Sequence, residues 1–476
     1  MRALYLAGLS GALAASLLFV QCVGDDPVTS TGGPPDTKDG STDPDGSTGL
    51  DGASTDASDG GGPVLPLLTN AVQVAAGGSH TCALTADGDV LCWGSNEFSQ
   101  LGRSDIAGSS KPVKVDLGGS KAKEVASGGF HSCARMVDSS LRCWGRNERG
   151  QLGRNGSAVT GAVGSVVGPD GGGVFSGLAQ VSLGSEHTCA VMTADGGTPS
   201  FPATAPGELY CWGSNVFREV GVETNSSPLL IPARRTTNIV SGYGIHAGTS
   251  FTCARAIIPV GIGADVAPLC WGIATEGQLG TDAGSFTVTP TSPDDPPGYA
   301  YIPLKELMAV GRAHACVRAP QSGGQAFFCW GANNKGQQGV ADVGIQRPNT
   351  PMPDVNAVNV TVLAAGGDVT CVIETGKVRC VGSSASGQLG NGTIDTAPHP
   401  AFADAILDPT ASSLSIGGDH VCAVLGQSQG KPGPVACWGS NAKGQLGDGL
   451  DLMKGYADPM PQLNFIRTKP VRVLAP

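Results

Sequence analysis

Fourteen of the chain's fifteen cysteines recur in pairs, two to a repeat, and this pairing constrains the fold more than any other feature. The second member opens the phrase CWG at Cys92, Cys143, Cys211, Cys270, Cys329 and Cys437, and CVG at Cys380. The first lies upstream in GGSHTCAL, GGFHSCAR, GSEHTCAV, GTSFTCAR, GRAHACVR, GGDVTCVI and GGDHVCAV, at Cys82, Cys133, Cys189, Cys253, Cys316, Cys371 and Cys422. Successive copies are 51 to 68 residues apart, a period that points to blades or a solenoid.

Local geometry then predicts what the pairs do. In Cys371–Cys380 a hairpin about Thr375-Gly376 sets the two cysteines directly opposite each other. In repeat 1 a three-residue turn at Ala86-Asp87-Gly88 does the same for Cys82 and Cys92. Opposed residues on antiparallel strands have Cα atoms about 4.5–5.5 Å apart, within reach of a disulfide. Free buried thiols and zinc are the competing readings. Zinc could use His80 with Cys82 and Cys92, but repeats 4 and 6 keep both cysteines and carry Phe251 and Val369 in place of the histidine. A metal site would lose a ligand there and a disulfide loses nothing, so one disulfide within each repeat is expected and no metal or cofactor.

Each repeat reads as four short strands. In repeat 1 these are Val72–Ala75, His80–Leu84, Val90–Trp93 and Pro112–Val115, separated by glycine-rich turns. The chain has 73 Gly and 33 Pro, which favours turns over long helices. The expectation is an all-β fold: a seven-bladed β-propeller of four-stranded blades, its ring closed by the N- and C-terminal strands. Closure leaves no exposed sheet edge around the centre. The tryptophans Trp93, Trp144, Trp212, Trp271, Trp330 and Trp438 should pack between blades. The motif histidines His80, His131, His187, His314 and His420 should hydrogen-bond backbone between blades.

The phrase G-x-x-H-[TS]-C-A-L … G-x-V-x-C-W-G-x-N-x-x-G-Q-L-G resembles the repeat of the regulator of chromosome condensation family, over about residues 70–475. It is looser in repeat 3, where VFREVG replaces the GQLG phrase, in repeat 4, which reads WGIATEGQLG, and in repeat 6, with Val381 for Trp. The resemblance implies a seven-bladed propeller, and exported bacterial members with paired cysteines look most like this chain. The family's nuclear member is a guanine-nucleotide exchange factor on chromatin, but no exchange residues can be matched here. A secreted relative inhibits β-lactamases through one face, which shows what the scaffold can do without assigning residues.

Three segments organise the chain: 1–22, 23–63 and 64–476. Arg2 followed by the apolar run Ala3–Val20 reads as a signal peptide. Cys22 directly after it resembles the lipid-attachment cysteine of bacterial lipoproteins, although Leu18-Phe19-Val20-Gln21 departs from that motif. Cleavage without lipid and retention as an anchor are the alternatives. Every one of these outcomes places the rest outside the cytoplasm, in the cell envelope or secreted, with the membrane touched only through the N-terminal lipid or anchor. Residues 23–63 are rich in Gly, Ser, Thr, Pro and Asp and read as a solvated, disordered acidic tether. Of the chain's 29 basic and 40 acidic residues, two and nine lie in 1–63, which leaves 27 and 31 for the repeats. That balance offers nucleic acid no general attraction.

No HExxH, GxSxG, P-loop or dinucleotide fingerprint is present, and the repeated His and Cys are spread over every blade, so no enzyme is expected. Recognition should lie where repeats differ. The interval between paired cysteines is nine, nine and eight residues in repeats 1, 2 and 6, but 21, 16, 12 and 14 in repeats 3, 4, 5 and 7. Adjacent repeats 3–5 should form a rim carrying Phe201, Tyr210, Arg255, Ile257, Ile258, Val260 and Ile262, a candidate surface for a protein partner. The bland alternative is that these aliphatics extend the strands. Segments after the GQLG phrase, at 155–177, 281–303 and 391–413, should lie on the opposite face. The expected function is a monomeric, exported binding scaffold for a protein of unknown identity. A glycan-binding module is the alternative, and an enzyme with a loop-built site is the third reading.

Overall fold

In Cys82-Ala-Leu-Thr85 the main-chain N–H of Thr85 donates to Asp89 O at 2.9 Å, and this one bond sets the register of the whole hairpin. Counting back by alternate pairs puts Cys82 opposite Cys92 at a non-hydrogen-bonded position, where antiparallel side chains come closest. The two cysteines are bridged, with Cα atoms 4.0 Å apart. The other six pairs are bridged in the same way at 4.1 Å, each within one hairpin. In repeat 6 the turn is the two-residue Thr375-Gly376, both with positive φ, as a tight hairpin requires.

A computed structural model of the chain describes residues 66–192, 207–222, 227–234, 242–260, 263–281, 286–291, 307–321, 324–343, 352, 355–426, 428–450 and 466–476. These form antiparallel sheets in which consecutive strands are neighbours. Blade 1 consists of β1 (Ala71–Ala76), β2 (His80–Thr85), β3 (Val90–Ser95) and β4 (Gly108–Lys114). Six blades have four described strands. Blade 5 has three, with the place of its fourth outside the described residues. The seven sheets form a propeller, with the ends of the first strands and the turns that follow them surrounding a central cavity of about 580 Å³.

The core is distributed between blades. Leu84, Val90 and Leu101 of blade 1 share a buried cluster with Val125, Ala134 and Trp144 of blade 2, and comparable clusters fill the other joints. Glycine is needed where blades approach most closely. A Cβ on Gly77 would stand 2.4 Å from His80 Cε1 and 2.6 Å from Gly128 O of the next blade. Gly94, with φ of 106°, follows the tryptophan where a Cβ would strike the backbone of Ser79 and His80.

The two ends of the described chain meet. Leu67 bridges Leu474, Leu68 N–H donates to Val473 O at 3.0 Å, and Ala475 N–H donates to Pro66 O at 2.7 Å. All four strands of blade 7 come from the C-terminal part, between Ala411 and Arg472. The N-terminal segment adds a short pairing against that blade before entering β1.

One topological expectation is corrected. Residues 155–177 divide between the two faces, because the strand Thr160–Ser165 runs through the middle of the segment. Val166–Gly177 then sits beside the second-to-third-strand turn of blade 2, where Leu178 N–H donates to Ser139 O at 3.1 Å. Residues 391–413 divide similarly about Asp395–Asp404, with Ala411 N–H on Gly376 O at 3.0 Å.

Candidate functional site

The motif histidines act between blades, on side-chain hydroxyls and not on backbone as the sequence suggested. His80 Nε2 lies 2.8 Å from Ser132 Oγ, His131 Nε2 2.9 Å from Thr188, and His187 Nε2 2.9 Å from Thr252. His314 Nε2 lies 2.8 Å from Thr370, and His420 Nε2 closes the ring at 2.7 Å from Thr81. Each hydroxyl is the residue before the first cysteine of the next blade. Each also lies close to a main-chain carbonyl of the previous blade: Thr81 to Gln445 O at 2.9 Å, Ser132 to Gln100 O at 3.2 Å, Thr188 to Gln151 O, Thr252 to Glu219 O, and Thr370 to Gln337 O at 2.7 Å. The hydroxyl proton goes to the carbonyl, so the imidazole must donate from Nε2.

The tryptophans address the same carbonyls. Trp93 Nε1 donates to Gln445 O at 2.9 Å, Trp144 to Gln100 O, Trp212 to Gln151 O and Trp271 to Glu219 O. Trp330 donates to Gln278 O at 3.0 Å and Trp438 to Gln388 O at 2.8 Å. All six indoles are buried. Where blades 5 and 7 have Ala315 and Val421 in place of the hydroxyl, the indole remains. Where blade 6 has Val381 in place of Trp, Thr370 remains. Every joint therefore keeps at least one donor on its buried carbonyl, as buried polar groups demand.

These groups are poor catalysts. Burial lowers the pKa of His80, His131 and His187 to about 3, and of His314 and His420 to about 4. Each ring is neutral and committed through Nε2. Among the described residues no three His, Cys, Asp or Glu are grouped to hold a metal ion.

Of the residues proposed for the rim, Tyr210 is buried against Phe175, with ring centroids 5.2 Å apart, and its hydroxyl donates to Glu208 at 2.8 Å. That corrects its assignment as a contact residue, because the aromatic body fills the joint between blades 2 and 3. Phe201 and Ile262 lie outside the described residues. Arg255, Ile257, Ile258 and Val260 lie on the strand Phe251–Val260, which pairs continuously with Gly263–Ile273 to the register Val260 with Gly263. The longer cysteine interval of repeat 4 is thus a longer ladder, projecting from that face.

The opposite face carries the first-to-second turns and the third-to-fourth loops, where a recurring phrase holds a residue that changes from blade to blade. The residue two before the loop glutamine is Phe98, Arg149, Phe217, Glu276, Lys335, Ser386 and Lys443 in blades 1 to 7. Phe98 meets Phe130 edge to face at 5.4 Å, and the Arg146 guanidinium lies over both rings at 5.0 and 5.8 Å. Arg146 also pairs with Glu148 and, at 3.1 Å, with Glu186, which Arg149 approaches at 3.6 Å. In blade 3, Val216 and Phe217 are 51% and 38% exposed at the apex of the corresponding loop. The non-glycine residues Ser99 and Arg218 occupy left-handed backbone beside Phe98 and Phe217, where blades 2 and 4–7 have glycine. Sequence comparison of the loop apices alone could have found Phe98 and Phe217, though not their contact with Phe130 and Arg146.

Comparison with known proteins agrees with this architecture. Two family models, both described as "Regulator of chromosome condensation (RCC1) repeat", match the chain, one at residues 71–100 and 122–151 and the other at 87–135. The RCC1 domain-containing protein RUG3, mitochondrial, of Arabidopsis thaliana is 32% identical over 188 residues, covering 37% of this chain and 38% of that protein. The human E3 ubiquitin-protein ligase HERC2 is 25% identical over 299 residues, covering 62% of this chain and 6% of that protein. This chain thus spans well under half the length of either relative. Among solved structures, Prp20p from Saccharomyces cerevisiae shares the fold with a TM-score of 0.61 at 17% identity, over 86% of this chain and 87% of that one.

Proposed function

From the chain's membership of the regulator of chromosome condensation repeat family, we propose that it is an exported propeller that binds a partner protein through one face of its ring. RCC1-like propellers often serve as protein-interaction scaffolds, and Prp20p has binding properties toward Gsp1p and histones. Neither partner is carried over. The observation that supports the reading here is the contrast between joints and loops: hydroxyl, indole and glutamine carbonyl recur from blade to blade, whereas the loop apex changes from Phe to Arg to Glu to Lys. Aromatic and arginine side chains held in fixed positions are the usual anchors of protein interfaces. The surface of Phe98, Phe130, Arg146, Val216 and Phe217 fits that description. The projecting ladder with Arg255, Ile257, Ile258 and Val260, together with Phe201 and Ile262, is the second surface to test.

Export rests on the apolar run before Cys22 and on seven buried disulfides, which persist in oxidising compartments. Cys22 is the proposed lipid-attachment residue, with 23–63 as the tether. The test is affinity capture with the oxidised full chain from envelope and culture-medium fractions at rising salt. F98D/F217D and I257D/I258D serve as the two face variants. One protein retained at high salt and lost at least tenfold in one variant supports the reading and names the face. Equal retention by both variants sinks it. Recovery of polysaccharide alone moves the assignment to glycan binding.

A further inference from the structure

Six blades place glutamine within the third-to-fourth loop, and blade 3 places Glu219 there. Each glutamine uses Oε1 to accept the N–H of the residue two earlier: Gln100 from Phe98 at 2.8 Å, Gln151 from Arg149 at 2.9 Å, and likewise Gln278, Gln337, Gln388 and Gln445. Glu219 does the same with Oε2, accepting from Phe217 N–H at 2.7 Å. Its other oxygen, Oε1, lies 2.6 Å from Ser214 Oγ. The equivalent contact in blade 7 is Gln445 Nε2 donating to Ser440 Oγ at 3.4 Å. An amide donates at the very position where Glu219 has an oxygen.

Among the described residues no cation pairs with the Glu219 carboxyl. Glu219 is 2% exposed. Blade 4 meets it through Thr252 and Trp271, neither ionisable, both on its main-chain carbonyl at 2.9 Å. The charged group that acts on it is Glu186, a like charge already engaged by Arg146 and Arg149. Burial, first, and then Glu186 push its pKa above the ordinary carboxylate value, against the hydrogen bonds from Ser214, its own backbone and Phe217.

We infer that Glu219 is carried as the neutral acid, its O–H donating to Ser214 Oγ where blade 7 uses an amide N–H, so that the blade 3–4 joint and the loop presenting Val216 and Phe217 respond to pH. The acid form reproduces the donor and acceptor pattern of Gln445, whereas the ionised form is a buried charge supported only by the hydrogen bonds from Ser214, its own backbone and Phe217. This inference stands independently of any partner.

The experiment compares the oxidised full chain with E219Q between about pH 4 and pH 9, reading Tm and the infrared carbonyl band of protonated carboxyl groups. A neutral Glu219 binds a proton that the unfolded chain has released above its carboxylate pKa of about 4.3. The Tm gap in favour of E219Q should therefore open as pH rises past that value and level off above the native pKa. A carboxyl band present at neutral pH should vanish in E219Q. In S214A, which removes the proton's acceptor, the same band should move to higher frequency, so the test holds even where E219Q does not fold. A Tm gap constant with pH, or a band unchanged in S214A, overturns the inference.

Discussion

His80 of blade 1 lies 2.8 Å from Ser132 of blade 2, and where the ring lacks such a histidine the next blade also lacks the hydroxyl. Phe251 is followed across its joint by Ala315, and Val369 by Val421, and both members of each pair are buried in one core cluster. A buried polar pair replaced as a unit costs little, whereas removing one partner strands the other. S132A should destabilise by about 1–3 kcal/mol through the stranded imidazole N–H. H80F/S132A, which copies the blade 4–5 joint, should cost less than the sum of its two single changes. A double-mutant cycle in chemical denaturation reads the coupling, and additive losses would show that the pair is incidental.

The indole donors are not equivalent, although every one is buried. Trp93 shares Gln445 O with Thr81, so W93F leaves that carbonyl one donor. Trp330 faces Gln278 O across a joint where Ala315 offers none. W330F should therefore destabilise more than W93F, by about 1 kcal/mol beyond the shared loss of packing. T370V should be worse still, since Thr370 serves both His314 and Gln337 O. Equal midpoints for the two tryptophan variants would refute the donor argument.

Much of this was legible in the sequence because it repeats. Cysteine register, strand positions in blade 1 and blade number follow from spacing and hairpin geometry. The histidine partner was misread because a single repeat shows only one half of each pair. Reading the residue before each first cysteine against the histidine of the preceding repeat would have exposed the match: Phe251 with Ala315, and Val369 with Val421. Tyr210 was misplaced because an aromatic beside a long interval looks like a surface residue until Phe175 is seen to cover it. The Phe98–Phe130 contact joins two blades 32 residues apart in sequence and has no local signature.

All fourteen bridged cysteines are at most 2% exposed, so reductant should find no sulfur to attack in the folded ring. Thiol titration after dithiothreitol without denaturant should recover none of these cysteines, and all fourteen once denaturant is added. Removing the blade 6 bridge as C371A/C380A should cost about 2–3 kcal/mol, the range for a loop this short. Ready reduction in native buffer would mean that the blades open individually.

Acid should loosen the ring through its histidines. His80, His131 and His187, held at about 3, and His314 and His420, held at about 4, stay neutral in the folded protein well below the unfolded value near 6.5. The unfolded chain takes up protons there that the ring refuses, so stability is full above about pH 6.5 and falls as pH drops toward 4. Each histidine contributes up to about 1.4 kcal/mol per pH unit in that window. His246, also held at about 3 by desolvation, adds to this slope. The carboxyls of Glu124, Glu219 and Asp419, held above the ordinary value, act in the opposite direction over part of the same range, three groups against six. Unfolding free energy measured across pH 4–7 should show this slope, and H80F/S132A should reduce it by about one proton. An unchanged slope would mean that His80 is not neutral in the joint, and that the hydroxyl of Ser132 accepts from a charged ring.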